Sequence, residues 1–385
     1  MTPLPPAFRA MLRDRLRRRA AAAGLDGLLI LSPGNLAYAT GWHFSVNERP
    51  MGLWLPVAGD PVLLVPELEL ENAQDVPGME VRTYPEFPGE VPPVLWMLAE
   101  AASVGRPRIG VDALEARLLS AAEEIARITL ADLVGPERWV KHPEELALIR
   151  EAARFADMVL ERLLAVGGAM IQGGATEIDL MAEATGHARA ALAKAHGATF
   201  AGTKMGITAS VHSGPRAALP HGTTLPRRPQ PGEPVVAGIG CSLGGYHAES
   251  GATFVCGVPT PDQQAVMTAM AAANAACAAA LAGGRACAAV NEAALAPIRA
   301  AGHTDAIRHR IGHGMGVEGH EAPWLSPGDP TPAAPGMVFS CEPGIYRPGR
   351  DGWRSIETFI LGPEGVELAS RFQSAHPPET RILSL

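Results

Sequence analysis

R-H-R-I-G-H-G-M-G-V-E-G-H-E-A-P, residues 308–323, is the stretch that decides how this chain is read. His313 stands between Gly312 and Gly314, Gly316 follows, and His320 comes seven residues after His313. Glycines, having no Cβ, allow backbone or ligand to come close to the imidazole. Downstream, G-M-V-F-S-C-E-P-G-I-Y (336–346) places Glu342 after an apolar, strand-like run, and R-S-I-E-T (354–358) places Glu357 between Ile356 and Thr358. Carboxylates in such settings must be paired or metal-bound to tolerate burial. One imidazole with several carboxylates suits Mn, Fe, Co or Zn and an activated water. Neighbouring neutral histidines would hydrogen-bond a substrate carbonyl or shuttle a proton.

Upstream, the chemistry-bearing residues are His212, His221, His247 and Glu249. The chain around them is 385 residues long, 47% hydrophobic and 19% charged, which predicts a packed core and two domains. A net charge of −8 with no long basic stripe argues against a nucleic-acid partner. The short run Arg13 to Arg19 reads as the solvated face of a first helix. Five cysteines, an odd number without C-x-x-C, point to reduced thiols and a cytoplasmic setting. No apolar run reads as long enough to span a membrane, so no membrane partner is expected.

Residues 7–23 read as a helix, and 27–32, 52–57, 61–66, 80–84 and 108–112 as strands. This alternation predicts an α/β N-terminal domain over 1–138. At 139–385 the pattern becomes α+β. A long helix starts near Pro143, with Leu146, Ile149, Ala153, Ala156, Val159, Leu160 and Leu163 on one face. A second helix follows the cap residue Thr176, and an Ala-rich helix over 262–282 ends at Gly283-Gly284. Strands are expected at 198–202, 234–239, 252–257 and 336–343.

Together these segments resemble the pita-bread hydrolases: aminopeptidase P, prolidase, creatinase and methionine aminopeptidase. G-L-D-G-L-L-I-L-S-P-G-N-L-A-Y-A-T-G-W (24–42) is similar to the creatinase-type N-terminal domain, and W-V-K-H-P-E-E-L-A-L-I-R-E-A-A (139–153) to the entry helix of the catalytic domain. S-G-P-R-A-A-L-P-H-G (213–222), 311–323 and 336–346 are similar to active-site segments. The resemblance implies an α/β creatinase-like N-terminal domain followed by an α+β pita-bread catalytic domain. It also implies a homodimer, and a hydrolase of the Xaa-Pro peptidase type acting on a short peptide or small amide. His221, His320 and Glu342 become the catalytic candidates, and His212, His221, His320 and Arg354 the substrate contacts.

Peptidases of this family hold two metal ions through Asp, Asp, His, Glu and Glu. Here the first Asp position falls on Gly238 and the second on Glu249, while His313, Glu342 and Glu357 match the rest. Glu249 carries its carboxylate about 1.3–1.5 Å further out than Asp. Arg354 stands three residues before Glu357, one more than the family spacing. The expectation is one divalent metal per chain (Mn, Co, Zn or Fe) on Glu249, His313, Glu342 and Glu357, or none. Three readings stay open: a single-metal peptidase, a metal-free C–N hydrolase of the creatinase kind, and a non-catalytic binding protein.

Overall fold

The structure, a computed structural model, describes residues 1–87, 89–102 and 105–385. Two compact units emerge, Pro3–Arg138 and Trp139–Leu385, the latter joined by Met1–Thr2.

The first unit is a mixed six-stranded sheet in the order β4-β3-β2-β1-β5-β6. Its strands are β1 (Gly27–Ile30), β2 (Gly52–Pro56), β3 (Val62–Pro66), β4 (Glu80–Tyr84), β5 (Arg108–Val111) and β6 (Arg127–Leu130). The first five fall on the expected runs; β6 was missed because its four residues alternate Arg127 and Thr129 with Ile128 and Leu130, too short an apolar signal, and most of it is exposed. Helix α1 (Pro6–Ala22) has a basic run that is not wholly solvated. Arg13 is 6% exposed, and with Arg9 it donates to the carbonyls of Ala39 and Tyr38. These carbonyls end α2 (Pro33–Thr40), whose last turn has no intrahelical donors of its own.

The second unit begins with α3 (Pro143–Gln172), started by Pro143 and a reciprocal His142–Glu145 cap, and α4 (Glu177–His196), capped by Thr176 and Asp179. Both helices pack on a four-stranded sheet ordered β17-β9-β8-β7. Its members are β7 (Gly206–Ser213), β8 (Pro234–Leu243), β9 (Tyr246–Cys256) and β17 (Ile382–Leu383). The run expected as a strand at 198–202 lies in the turn after α4, and the strand forms at β7 instead. The alternation of β7 is polar on its open face, which hid it from an apolar-run reading.

A five-stranded sheet, β11-β10-β12-β15-β16, completes the unit with a β13-β14 hairpin. These strands are β10 (Gly312–Gly314), β11 (Glu321–Leu325), β12 (Val338–Cys341), β13 (Gly344–Arg347), β14 (Asp351–Arg354), β15 (Glu357–Gly362) and β16 (Gly365–Leu368). Behind them lie α5 (Pro261–Ala282) and α6 (Cys287–Ala300). Contrary to the sequence reading, α5 is long and apolar enough to cross a membrane. Its Val266, Met270, Ala273, Cys277 and Leu281 instead fill the core with Cys341, Phe359 and Leu361. An isolated bridge between Gly251 and Ile356 joins the two sheets.

Replacing Arg13 by Ala removes a charged donor from a buried carbonyl and should cost about 2 kcal/mol. Urea unfolding of the first unit would show the midpoint fall with an unchanged slope; a loss within ~0.5 kcal/mol would mean that Arg13 acts as ordinary surface charge.

Candidate active site

Side chains alternate along a strand, so register decides which residues meet. In the ladder of the four-stranded sheet, Thr208, Gly240 and Glu249 form one row and Ser210, Gly238 and Gly251 the next. From the other sheet, His313 on β10 lies opposite Ser340 on β12. Ser340 Oγ donates to Glu249 Oε2 at 3.0 Å. The Glu249 N–H donates to Thr358 Oγ1, which donates in turn to the Glu249 carbonyl. Both ends of Glu249 are thereby tied to the second sheet.

His313 is completely buried. A Cβ on Gly312 would stand 1.9 Å from the Ser340 carbonyl, and one on Gly314 2.7 Å from that of Ala322, so β10 fits between its neighbours only with glycines flanking His313. His313 Nδ1 lies 3.0 Å from the Gly314 carbonyl, an acceptor, so Nδ1 carries a proton. His313 Nε2 then faces Glu342 Oε1 at 3.4 Å and Glu249 Oε2 at 3.7 Å. The His320 ring stacks on His313 with centroids 3.8 Å apart, and His320 Nε2 is 3.7 Å from Glu249 Oε1. Behind this segment, Lys141 Nζ and Glu321 Oε1 form a buried ion pair at 2.9 Å. Burial alone would lower the His313 pKa; Glu342 and Glu249 reverse this and raise it. Burial pushes Glu342 up, but His313, His309 and Arg354 outweigh it and hold the carboxyl at about 2.

A bare nitrogen lone pair cannot rest between two carboxylates; Nε2 needs a proton or a metal ion there. Ligand atoms of Glu249, His313 and His320 all lie within 4.8 Å of one another, and Glu342 adjoins them. Two imidazoles and two carboxylates form a donor set that Mn, Fe, Co and Zn accept, so the residues fit one divalent ion. They do not fit two, because Gly238 offers no ligand and Glu357 is elsewhere.

Glu357, expected as a ligand, points away from this cluster. It opposes Cys341 in the β12–β15 ladder, and opposed residues share a face. That face carries Cys341, Phe359 and Leu361 into the core beneath α5. Ile356 and Thr358 take the other face, and Ile356 Cδ1 would lie 2.7 Å from a Cβ on Gly251. The Glu357 carboxyl instead lines a separate cavity of about 310 Å³ with Asn274, Ser355, Gln373 and Arg381. Burial there raises its pKa to about 7 although Arg381 opposes the shift.

His212 also departs from expectation. It sits on the site face of β7 but is 1% exposed, with Gly222 packed over its ring. Burial, followed by the Arg354 and Arg216 charges, pushes it down to about 4, so a neutral buried ring results and substrate does not reach it. His221 and His320 do reach open space. With Glu342 and Arg354 they line a cavity of about 630 Å³, whose wall also includes Arg216, Arg308 and Arg310. These three arginines, and Ser340, were missed as site residues. The R-H-R preceding the His313 motif was a visible signal for two of the arginines.

Profiles of two families match the chain: Metallopeptidase family M24 over residues 147–363, and the Creatinase/Prolidase N-terminal domain over 13–139. "Probable dipeptidase PepE" of Mycobacterium tuberculosis is 32% identical over 363 residues, covering 91% of this chain and 92% of that protein. The crystal structure of dipeptidase PepE from Mycobacterium ulcerans superposes with a TM-score of 0.84 at 29% identity, with both chains fully covered. The Xaa-Pro dipeptidase from Bacillus anthracis shares the fold with a TM-score of 0.76 at 23% identity, covering 94% of this chain and 98% of that one.

The position of Glu357 has a measurable signature. A buried acid with a raised pKa binds a proton more tightly in the folded state, so stability falls as pH rises from the unfolded value near 4.5 to about 7. Glu357→Gln should therefore leave stability at pH 4 unchanged and raise it at pH 8, with a ceiling of about 3 kcal/mol. Mn²⁺ affinity should be unaltered; a loss of tenfold or more would place Glu357 among the ligands.

Proposed function

This chain belongs to Metallopeptidase family M24 and is a pita-bread, metallopeptidase-like hydrolase; from that premise we propose that it cleaves short Xaa-Pro peptides at a site holding a single divalent ion. The observation that carries this reading is the convergence of His221, His320, Glu342 and Arg354 on one cavity, with Glu249 joining them in a smaller adjoining one and His313 buried behind Glu249 and Glu342. About 630 Å³ suits a dipeptide or slightly longer ligand. Glu249, His313, His320 and Glu342 would hold the ion, which when bound supplies Lewis acidity toward the scissile carbonyl and an acidified water.

The chain's own groups would do the rest. The basic wall of Arg216, Arg308, Arg310 and Arg354 suits the free carboxylate of a short peptide, since guanidiniums bind carboxylates through paired, charge-assisted hydrogen bonds. That contact would place the scissile bond over Glu342. His221, exposed on the cavity rim, would donate to the carbonyl oxygen, while His320, held by stacking on His313, would stay with the ion. Glu342, whose carboxyl lines the cavity beside His221, would accept a proton from the attacking water and pass it to the leaving nitrogen.

One observation favours a second reading. With its pKa raised, His313 can carry a proton on Nε2 and itself neutralise Glu249 and Glu342, which gives a metal-free hydrolase of the creatinase kind. We also propose a cytoplasmic setting, supported by five buried cysteines with free thiols, and a homodimer, supported by the family resemblance alone.

Metal analysis of the purified protein, with hydrolysis of a panel of Xaa-Pro dipeptides, separates the readings. The expected result is activity lost on chelation and restored by Mn²⁺ at one ion per chain. Activity indifferent to chelation would support the metal-free reading, and no turnover on peptides or amides would leave a binding protein. Glu342→Gln should lower kcat by about 10²–10⁴-fold with a smaller effect on KM; a change under tenfold would remove Glu342 from the chemistry.

A further inference from the structure

Gly238 and Arg354 compete for one volume. A Cβ on Gly238 would stand 2.5 Å from an Arg354 terminal nitrogen and 3.5 Å from Ile356 Cδ1. The guanidinium thus fills the space that any side chain on this row of β8 would need. It is firmly placed: its other terminal nitrogen donates to the Pro220 carbonyl at 2.8 Å, and the Arg354 backbone N–H and carbonyl both bond Thr253 Oγ1 at 2.9 Å.

The charge on this group is not spent elsewhere. Arg354 is 7% exposed, its Nε is buried without a hydrogen-bond partner, and no carboxylate forms an ion pair with it among the described residues. A buried cation without a counterion is costly unless something in the site answers it. Arg354 faces the same small cavity as Glu249, Glu342, His221 and His320, so the carboxylate cluster feels its field.

A second divalent ion beside the first would need oxygen ligands on the Gly238 side. It would find glycine on β8, only the neutral hydroxyl of Ser210 beside it on β7, the apolar end of Ile356 and a fixed positive charge. We infer that Arg354 is a built-in second cation: it closes the Gly238 side of the cluster to a divalent ion and provides there, permanently, positive charge for an anionic group of the substrate. The inference rests on the single-ion reading for its first half. Its test is nevertheless counted as an increment over the wild type.

Chelator-treated protein is titrated with Mn²⁺ by calorimetry, with thermal melting to verify folding. Gly238→Asp with Ile356→Glu installs two carboxylates facing the cluster. With Arg354 retained, this variant should bind no more ions than the wild type; adding Arg354→Ala should raise the count by one per chain. Extra binding with Arg354 in place, or none after its removal from a folded variant, would overturn the inference, as would two ions in the wild type. Should the multiple variants fail to fold, Arg354→Ala alone decides: relief of repulsion should tighten the first Mn²⁺ several-fold, and unchanged or weaker binding overturns the proposal. A wild type that binds no ion would sink the single-ion peptidase reading, while the increment would still measure Arg354.

Discussion

A buried imidazole nitrogen held between two carboxylates sets the terms for the catalytic unit. His313 Nε2 lies 3.4 Å from Glu342 and 3.7 Å from Glu249, and its other nitrogen is committed to the Gly314 carbonyl. At this depth such a group is tolerable only with a cation at Nε2, whether proton or metal. The flanking glycines, the Ser340 hydroxyl and the Thr358 clamp on Glu249 all keep that geometry in place. Two sheets contribute to it, so the cluster exists only when both are docked.

Positive charge is then distributed among different carriers. The position at Nε2 is exchangeable, open to a proton or to an ion. Arg354 is covalently part of the chain and always charged. A site of this kind keeps part of its electrostatic field when stripped of metal, unlike one whose charge comes wholly from bound ions.

Much of this was legible from residue order. The spacing of Gly312, His313 and Gly314 required close backbone approach, and the ladder shows where that approach occurs. The caps at Pro143 and Thr176 placed the helices correctly because capping is local. Glu357 was misread because its direction depends on counting alternation through Ser355 and Ile356, which belong to neither β14 nor β15. His212 had the right strand face but not the right depth, since Gly222 covers it from a separate loop. Arg13 escaped because burial of a cation depends on carbonyls of a helix distant in sequence.

The two-residue link between β14 and β15 carries one more implication, for how a ligand position on this strand can change. A strand's period of two makes the identity of its inward residues hostage to a single codon. Loss of one residue at Ser355 that slid β15 by one place would turn Glu357 from the core toward the site, but it would also turn Phe359 and Leu361 out of the core beneath α5. A ligand exchanged by insertion or deletion at this link therefore costs core burial along the whole strand, whereas a substitution changes one side chain.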